Sequence, residues 1–473
     1  MKNLFSAIIF TLFNICAFGQ IEENSAVDNI FTEWNKPNVP GCAIGIIQNG
    51  ELIYAQGYGT GDLEHDIALG PSSVFYLGSV SKQFVTFSIL LLEEKGKLDL
   101  DDEIQKFLPD FPEYESPLTI RHFIHHTSGV RDYLTLMYLM GRNYLDHIEE
   151  DEVYEIIKRQ SALNFSPGEK YLYSNSCYFM LAMIVEKAAG QSLKEFAHEN
   201  IFKPLGMHNT IFYDDNTDLI KNRVFSYAKA ADKDKFNNLI MRFDLVGSGG
   251  VYSNIKDLFL WDQNFYHNKL GEGGPVIIQK MQEEGILNNG EGSGYAFALN
   301  IGSYNGLKTV GHGGSLAGYR SQLLRFPEQQ FSVVILANRS DANPSGKALQ
   351  IADIFLQDYY IEDHSDEEIK PGLSKSVKEE VDIDLDGSDI LLEEFTGNYY
   401  SGELNITYQI FVENEVLKVK IGGYKPMTLE MSTRDEFKVE DEGFLFQFRR
   451  DVQRISGFEL DAGRVQNLKF SKE

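Results

Sequence analysis

The stretch FYLGSVSKQF (residues 75–84) places a serine and a lysine three positions apart, where a polar loop gives way to a helical pattern. The loop, GPSS (residues 70–73), precedes a run of apolar residues at helical spacing over residues 84–91. We therefore expect Ser79 at the start of a helix and Lys82 about one turn further on the same face. Because a serine hydroxyl is a weak nucleophile until a neighbour takes its proton, this spacing indicates a candidate nucleophile with an amine partner. A helix N-cap followed by a solvated lysine is the simpler interpretation.

Two later segments carry polar groups that suit the same kind of site. Before a second helical run, Tyr173 and Asn175 stand two residues apart, so both side chains can face one cleft. A lysine close to the phenol would lower its pKa and let it exchange protons, and an amide orients a substrate carbonyl. In HGGS (residues 312–315), two glycines let the backbone approach a ligand, and the N–H groups of Ser79 and Ser315 together suit an oxyanion. Taken singly, each segment is also an ordinary loop or a glycine-rich turn.

Strand patterns at both ends of the first 360 residues enclose a helical middle. One hairpin has its Asn-Gly turn at residues 49–50, another at residues 305–306, and residues 331–337 are typical of a buried strand. A last helix is expected over about residues 344–357. This order predicts an α+β domain, residues 20–360, whose N- and C-terminal segments form one antiparallel sheet beside a helical subdomain.

The composition changes after residue 360. Residues 361–391 are acidic, with a Pro-Gly pair and little apolar periodicity, and are predicted to be a linker. Residues 392–473 hold eight short alternating runs separated by turns, which predict a small antiparallel β-barrel. We expect this barrel to be a separate module that supplies none of the catalytic groups. It would cover the mouth of the site or mediate assembly of several chains.

Length and charge narrow the class of protein. The 473 residues predict two or more domains. The 43 Lys and Arg against 70 Asp and Glu give a net charge of −27, which disfavours nucleic acid and anionic membranes as partners. We expect a small-molecule or peptide substrate, no nucleic acid, no membrane span and, as an open possibility, a homo-oligomer.

The N-terminal residues indicate export. One early lysine, a short apolar stretch and small residues predict a signal peptide over residues 1–19, cleaved before Gln20, and hence a secreted or periplasmic protein. Lipid attachment at Cys16 is disfavoured because the preceding residues are not small. Two remaining cysteines make no disulfide framework, so Cys42 and Cys177 are predicted to be buried thiols.

In their order and separation, the motifs S-x-x-K, Y-x-N and H-x-G resemble the penicillin-recognising serine hydrolase family. This family includes class C β-lactamases, DD-peptidases, D-aminopeptidases and esterases. Three further stretches are similar to its signature segments: TIRHFIHHTSGVRDY (residues 119–133), IFKPLGMHNT (residues 201–210) and GSGGVYSNIKDLFLW (residues 247–261). The resemblance spans about residues 25–357, and residues 393–470 are similar to the lipocalin-like barrel appended to some members. It implies a serine β-lactamase-like fold.

The resemblance also implies roles for individual residues. Ser79 would be the acylated nucleophile, Lys82 would hold the proton network of the serine and lower the phenol pKa, and Tyr173 would be the acid/base. Whether Lys82 or Tyr173 takes the first proton stays open. Asn175 would bind the substrate amide, and the Ser79 and Ser315 N–H groups would stabilise the oxyanion.

The third motif departs from the usual Lys-Thr-Gly of the β-lactamases and DD-peptidases. Here His312, Gly313 and Gly314 stand in its place, and a histidine is ordinarily charged only near or below pH 6.5. The resemblance therefore implies a secreted serine hydrolase that acts through a Ser79 acyl-enzyme on a D-amino-acid peptide, amide or ester. The alternatives are a catalytically silent binding or assembly protein on the same fold and, less favoured, a true β-lactamase.

No cofactor or metal is expected. His122, His125 and His126 stand at helical spacing, which is one pattern of a metal site. They belong to a segment similar to a structural signature of the family, so we interpret them as structural residues.

Overall fold

A computed structural model describes residues 22–143, 145–232, 235–361 and 391–473. The predicted signal peptide and nearly all of the predicted linker lie outside the described residues. The helices are α1 (residues 22–30), α2 (Lys82–Glu94), α3 (Ile120–Ile124), α4 (Tyr133–Leu139), α5 (Glu150–Lys158), α6 (Asn175–Ala189), α7 (Leu193–Ala197), α8 (Lys203–Leu205), α9 (Ile255–Asn264), α10 (Val276–Met281) and α11 (Pro344–Leu356).

The strands before the barrel are β1 (Cys42–Gln48), β2 (Glu51–Tyr58), β3 (Thr60–Asp62), β4 (Ile67–Ala68), β5 (Phe75–Tyr76), β6 (Ile211–Phe212), β7 (Tyr227–Lys229), β8 (Phe236–Asn238), β9 (Val251–Ser253), β10 (Asn300–Tyr304), β11 (Leu307–Leu316), β12 (Tyr319–Phe326) and β13 (Phe331–Ala337). The strands of the barrel are β14 (Gly397–Ser401), β15 (Ile406–Glu413), β16 (Val416–Lys420), β17 (Met427–Thr428), β18 (Glu430–Thr433), β19 (Glu436–Val439), β20 (Phe444–Asp451), β21 (Arg454–Ala462) and β22 (Val465–Lys472).

The main sheet joins the two ends of the first domain, as the sequence predicts. Its strand order is β10-β11-β12-β13-β1-β2, and every neighbouring pair is antiparallel. The predicted Asn-Gly turns connect β1 to β2 and β10 to β11. In the first of them Asn49 and Gly50 have φ of 51° and 83°, the left-handed backbone that these residue types tolerate.

Helices cover both faces of this sheet. On one face α2 is buried from Lys82 to Leu92, and Trp261 of α9 packs against Phe84 and Phe87 with ring centroids 4.7 and 5.3 Å apart. On the other face α1 and α11 cover a second apolar cluster, so β13 is buried along its whole length. This sandwiched arrangement fixes the start of α2, where the serine and lysine lie.

The C-terminal strands form the predicted antiparallel barrel, but with nine strands instead of eight, because the run at residues 425–432 is divided into β17, which pairs with β16, and β18, which pairs with β19. Their order is β17-β16-β15-β14-β22-β21-β20-β19-β18, so β14 joins β22 and the barrel is nearly closed. Its interior is largely aromatic, including Tyr399, Phe448, Phe458 and Phe470. Buried and exposed residues alternate along these strands, as a barrel that fills its own interior requires.

The barrel packs directly against the helical subdomain. Arg131, whose side chain is fully buried, forms an ion pair with Glu403 at 2.8 Å and donates to the carbonyl oxygens of Gln466 and Asn467. Tyr408 donates to the carbonyl oxygen of Leu139 at 2.6 Å. None of the helices in the described part of the chain is long and apolar enough to cross a bilayer.

Candidate active site

Ser79 lies on a short 3₁₀ turn, Gly78–Ser81, that continues directly into α2. The residue before the turn, Leu77, is anchored to two strands, because its N–H donates to the carbonyl oxygen of Val251 in β9 at 2.8 Å and its carbonyl oxygen accepts from Ser321 Oγ in β12 at 2.6 Å. Gly78 has φ of 56°, which favours glycine. The predicted position of Ser79 at the start of a helix is therefore confirmed.

Lys82 is fully buried one turn after the serine. Its Nζ lies 3.1 Å from Ser79 Oγ, and it donates to Asn175 Oδ1 at 2.9 Å and to the carbonyl oxygen of Ser248 at 2.5 Å. Burial is the main reason that the pKa of Lys82 falls well below its usual range, and the nearby positive charge of Arg464 lowers it further. The unprotonated amine, which can accept a proton from the serine, is thereby favoured.

Asn175 is held rigidly by a buried carboxylate. Asp132 Oδ2 accepts from the backbone N–H of Asn175 at 2.7 Å and from its Nδ2 at 2.8 Å, which directs Oδ1 toward Lys82. Sequence reasoning missed Asp132. Its visible signal is the start of α4, where Asp132 is the N-cap and accepts from the N–H of Thr135.

Tyr173 has a partly exposed ring whose hydroxyl oxygen is buried. Lys82 Nζ lies 4.9 Å from the centroid of this ring. The prediction of a lowered phenol pKa is wrong for this site: burial raises the pKa of Tyr173 above its usual value and outweighs the lowering by the Ser79 hydroxyl and by Arg464. Ser79 is near enough to affect the phenol, but among the described residues the Tyr173 hydroxyl has no hydrogen bond of ordinary geometry.

The third motif lies on β11, beside the serine turn. Gly78 approaches this strand so closely that a Cβ there would come within 2.7 Å of the Ser315 nitrogen. A Cβ at Gly314 would collide with the carbonyl oxygen of Leu77. The two glycines thus allow the Ser315 amide to lie next to the Ser79 turn.

His312 is buried and uncharged near neutral pH. Its Nε2 lies 3.0 Å from the Tyr295 hydroxyl, and its Nδ1 lies 2.6 Å from the Gly313 carbonyl oxygen. Burial is the main cause that lowers the pKa of His312 to about 4. The third motif therefore places no cation in the site at neutral pH, since the imidazole would gain a proton only in strong acid.

The three histidines of the RHFIHH segment have separate partners. His122 caps the start of α3 with Thr119, His125 Nδ1 lies 3.2 Å from the Tyr295 carbonyl oxygen, and His126 Nδ1 accepts from the N–H of Ser174 at 3.1 Å. Among the described residues, no group of His, Cys, Asp or Glu side chains is arranged to hold a metal ion. Cys42 and Cys177 are buried free thiols, as predicted.

The barrel reaches the site through Arg464, which sequence reasoning missed. Its guanidinium carbon lies 4.7 Å from the centroid of the Tyr173 ring. The expectation that the barrel supplies none of the catalytic groups stays a prediction, and the structure adds that a barrel side chain contacts the Tyr173 ring. The segment DAGRVQN is typical only of a turn, and nothing in it signals a contact with a tyrosine some 290 residues earlier.

The chain is similar in sequence to a known protein family and to individual proteins. The family described as Beta-lactamase matches residues 27–356. Penicillin-binding protein 4* of Bacillus subtilis is 28% identical over 412 residues, which are 82% of this chain and 86% of that protein. The D-aminopeptidase of Brucella canis is 27% identical over 318 residues, and the match covers 67% of this chain but only 60% of that enzyme.

A solved structure shares the architecture over almost the whole chain. It is the octameric penicillin-binding protein homologue from Pyrococcus abyssi, with a TM-score of 0.61 and 22% identity. The superposition covers 98% of this chain and 100% of that one. This likeness concerns the fold, including the presence of a C-terminal domain.

Proposed function

Because this chain belongs to the beta-lactamase family and is a serine hydrolase of that family, we propose that it cleaves a peptide, amide or ester of a D-amino acid through an acyl-enzyme on Ser79. The observation that carries the proposal is the contact of 3.1 Å between Lys82 Nζ and Ser79 Oγ, in which the lysine is fully buried. A buried amine with a lowered pKa is suited to activate a serine at neutral pH.

In the acylation step, Ser79 Oγ attacks the substrate carbonyl and its proton passes to Lys82 Nζ. The directions of the two pKa shifts favour this order, since Lys82 is pushed toward the free amine and Tyr173 toward the neutral phenol. When the carbon–nitrogen or carbon–oxygen bond of the substrate breaks, Tyr173 donates its proton to the leaving group. An ammonium at Lys82 and a phenolate at Tyr173 remain beside the acyl-enzyme.

Deacylation reverses these proton positions. The Tyr173 phenolate takes a proton from water, and the resulting hydroxide attacks the ester carbonyl. Ser79 Oγ leaves and takes the proton from the Lys82 ammonium, so that both groups regain their starting states. The balance is one water consumed for one acid and one amine or alcohol released.

The remaining site residues would bind the substrate and stabilise the oxyanion that forms during acyl transfer. The N–H groups of Ser79 and Ser315 would donate hydrogen bonds to the oxyanion. This role is consistent with the close approach of Gly78 to the Ser315 amide and with the absence of a Cβ at Gly314. Asn175, locked by Asp132, would present its amide to the substrate. His312 would help to hold β11 in position through its contact with the Tyr295 hydroxyl.

The substrate class follows from the relatives and from the third motif. The D-aminopeptidase among the relatives supports a D-amino-acid substrate. A neutral His312 lacks the cation that the third motif of a β-lactamase provides, which argues against efficient β-lactam hydrolysis. We also propose that the chain is exported, on the pattern of residues 1–19, and that it forms oligomers, as its Pyrococcus abyssi homologue does.

Labelling tests the proposal. A fluorophosphonate should attach to Ser79, and Ser79→Ala should abolish both the label and the hydrolysis of p-nitrophenyl acetate, with a loss on the order of 10⁴-fold or more in rate. Ser72→Ala, at an exposed serine of the preceding loop, is the matched control. A folded wild-type chain that takes no label and hydrolyses no ester would instead be the silent binding protein.

A further inference from the structure

We propose that Arg464 of the barrel binds a carboxylate on the leaving-group side of the substrate. The inference rests on the proposed function and deepens it, because it names a free carboxylate as the group that the site selects. Arg464 lies in the turn between β21 and β22 and is half-buried. The enzyme would therefore prefer a substrate whose leaving group is an amino acid with a free acid over the same substrate as an amide.

The turn is positioned by main-chain contacts with the helical subdomain. The carbonyl oxygen of Arg464 accepts from Asn164 Nδ2 at 3.0 Å and from the N–H of Asp132 at 3.4 Å. Asn164 Oδ1 also accepts from the N–H of Gln466 at 2.7 Å. The backbone of the turn is thus connected through Asp132 to Asn175, and its position relative to the catalytic groups is defined.

The side chain, by contrast, has no polar partner within the described part of the chain. Its guanidinium makes no hydrogen bond or ion pair with any residue that the structure describes, and it lies over the Tyr173 ring. The other arginine close to this part of the barrel, Arg131, is fully satisfied by a carboxylate and two carbonyl oxygens. A half-buried arginine that has no acidic partner among the described residues is available for an anionic ligand.

The chemistry of the site selects a carboxylate. A guanidinium presents a planar fork of N–H donors that matches the two oxygens of a carboxylate. His312, which occupies the usual place of a cationic residue, stays neutral, so Arg464 is the available cation near Tyr173 among the described residues other than the proton-exchanging Lys82.

The contact with Tyr173 gives the side of the substrate. In the proposed mechanism Tyr173 protonates the leaving group, so an anion held over its ring belongs to the group that departs. A D-amino acid that leaves with its free carboxylate has that carboxylate one carbon from the departing nitrogen. Arg464 would hold this carboxylate while Tyr173 delivers the proton, and its positive charge would stabilise the phenolate that forms.

A pair of substrates that share one scissile bond tests the inference. The kcat/KM values of wild type and Arg464→Gln are compared for N-acetyl-D-alanyl-D-alanine and for its C-terminal amide. The ratio of the acid to the amide should fall by about 10- to 100-fold in Arg464→Gln, because a charged hydrogen-bonded contact is lost. Arg464→Lys, which keeps the charge but not the fork, should give a smaller fall and serves as the second variant if Arg464→Gln does not fold.

Arg454→Gln is the matched control, since Arg454 is an exposed arginine at the far end of the same strand β21. Its ratio should equal that of wild type. An acid-to-amide ratio that is the same in the Arg464 variants and in wild type overturns the inference, even if the enzyme is active. A chain that is neither labelled at Ser79 nor active on p-nitrophenyl acetate contradicts the proposed function instead, so the two failures are distinguishable.

Discussion

The main sheet and the barrel each bring a basic residue close to Tyr173, and they do so by different means. The sheet wall, defined as residues 312–315 of β11, contributes His312, whose ring centroid lies 6.2 Å from that of Tyr173. The barrel wall, defined as residues 463–465 between β21 and β22, contributes Arg464 at 4.7 Å. His312 is buried, hydrogen-bonded and neutral, whereas Arg464 is half-buried, charged and without a polar partner among the residues that the structure describes.

The sheet wall offers a close approach of the backbone to the serine turn, whereas the barrel wall offers a positive charge. The sheet wall acts through its backbone, because glycines let a peptide N–H lie beside the serine turn and the neighbouring imidazole only orders the strand. The barrel wall acts through one cationic side chain that needs no such close approach. In the proposed mechanism the sheet supplies a backbone N–H for the oxyanion, and the barrel supplies the side chain that selects a charged substrate.

Removing the phenol that both walls border should have the largest effect on rate. Tyr173→Phe keeps the ring between His312 and Arg464 and deletes the proton that the leaving group needs. We expect kcat for an amide substrate to fall by about 10²- to 10⁴-fold. An ester with a good leaving group, such as p-nitrophenyl acetate, should lose much less in acylation, since its alcohol departs without protonation.

Tyr171→Phe is a matched control, because Tyr171 belongs to the same aromatic cluster, 5.7 Å from Tyr295 between ring centroids. Steady-state and single-turnover rates on both substrates measure the effect. A Tyr173→Phe enzyme with the wild-type kcat on a slow amide would assign the whole proton transfer to Lys82.

Breaking the ion pair between Arg131 and Glu403 should destabilise the barrel wall and leave the sheet wall unchanged. Glu403→Ala leaves the buried guanidinium of Arg131 without its acidic partner, and we expect the free energy of unfolding to drop by about 3–5 kcal/mol. Hydrogen exchange should rise in β21 and β22 far more than in β11 and β12. Denaturant unfolding and exchange measurements on the full chain give both values.

Glu413→Gln is the comparison for that experiment. Glu413 pairs with Lys418 at the barrel surface at 2.6 Å, and an exposed pair of this kind contributes only about 0–1 kcal/mol. Equal losses of stability in the two variants, or equal exchange in both walls, would show that Arg131 and Glu403 do not fasten the barrel.

The smallest expected effect is a flat pH dependence of substrate preference. Because the pKa of His312 is lowered to about 4, its charge does not change between about pH 5.5 and 8. The acid-to-amide ratio of kcat/KM should therefore stay constant over that range. A ratio that rises as the pH falls through about 6.5 would assign the carboxylate to His312 and contradict the neutral sheet wall.

The lowered pKa of His312 also affects how the free energy of unfolding depends on pH. Since the folded-state pKa of His312 lies below its unfolded value of about 6.5, the unfolded chain binds the proton first. This group therefore lowers stability as the pH falls from about 6.5 to about 4, and His312→Gln should remove that component of the acid-side loss. Thermal unfolding midpoints of both proteins across this window measure it.

Local patterns in the sequence predict the parts of the site that depend on local structure. The serine turn, the two Asn-Gly hairpins and the barrel strands follow from turn chemistry and periodicity within a few residues, and the structure has them where expected. Arg464 could not be predicted in this way, because its place beside Tyr173 depends on how the barrel docks. The docking rests on contacts such as Arg131 with Gln466, which join residues 335 positions apart.

The direction in which the pKa of Tyr173 shifts could not be predicted from the sequence, for a related reason. A nearby lysine lowers a phenol pKa only if the lysine is charged, and Lys82 is buried so deeply that its neutral form is favoured. The sequence pattern places Lys82 beside the site but does not give the depth of either group. Burial of the Tyr173 hydroxyl then dominates.

The turn that carries Arg464 is fastened by its main chain, through the carbonyl of residue 464 and the amide of Gln466. The side chain at this position bears none of the hydrogen bonds that hold the turn. If Arg464 binds the substrate as proposed, a single substitution at this residue would change the charge that the substrate meets while the main-chain contacts of the turn stay in place. Substrate preference would then vary at one residue of the barrel, without any change to Ser79, Lys82 or Tyr173.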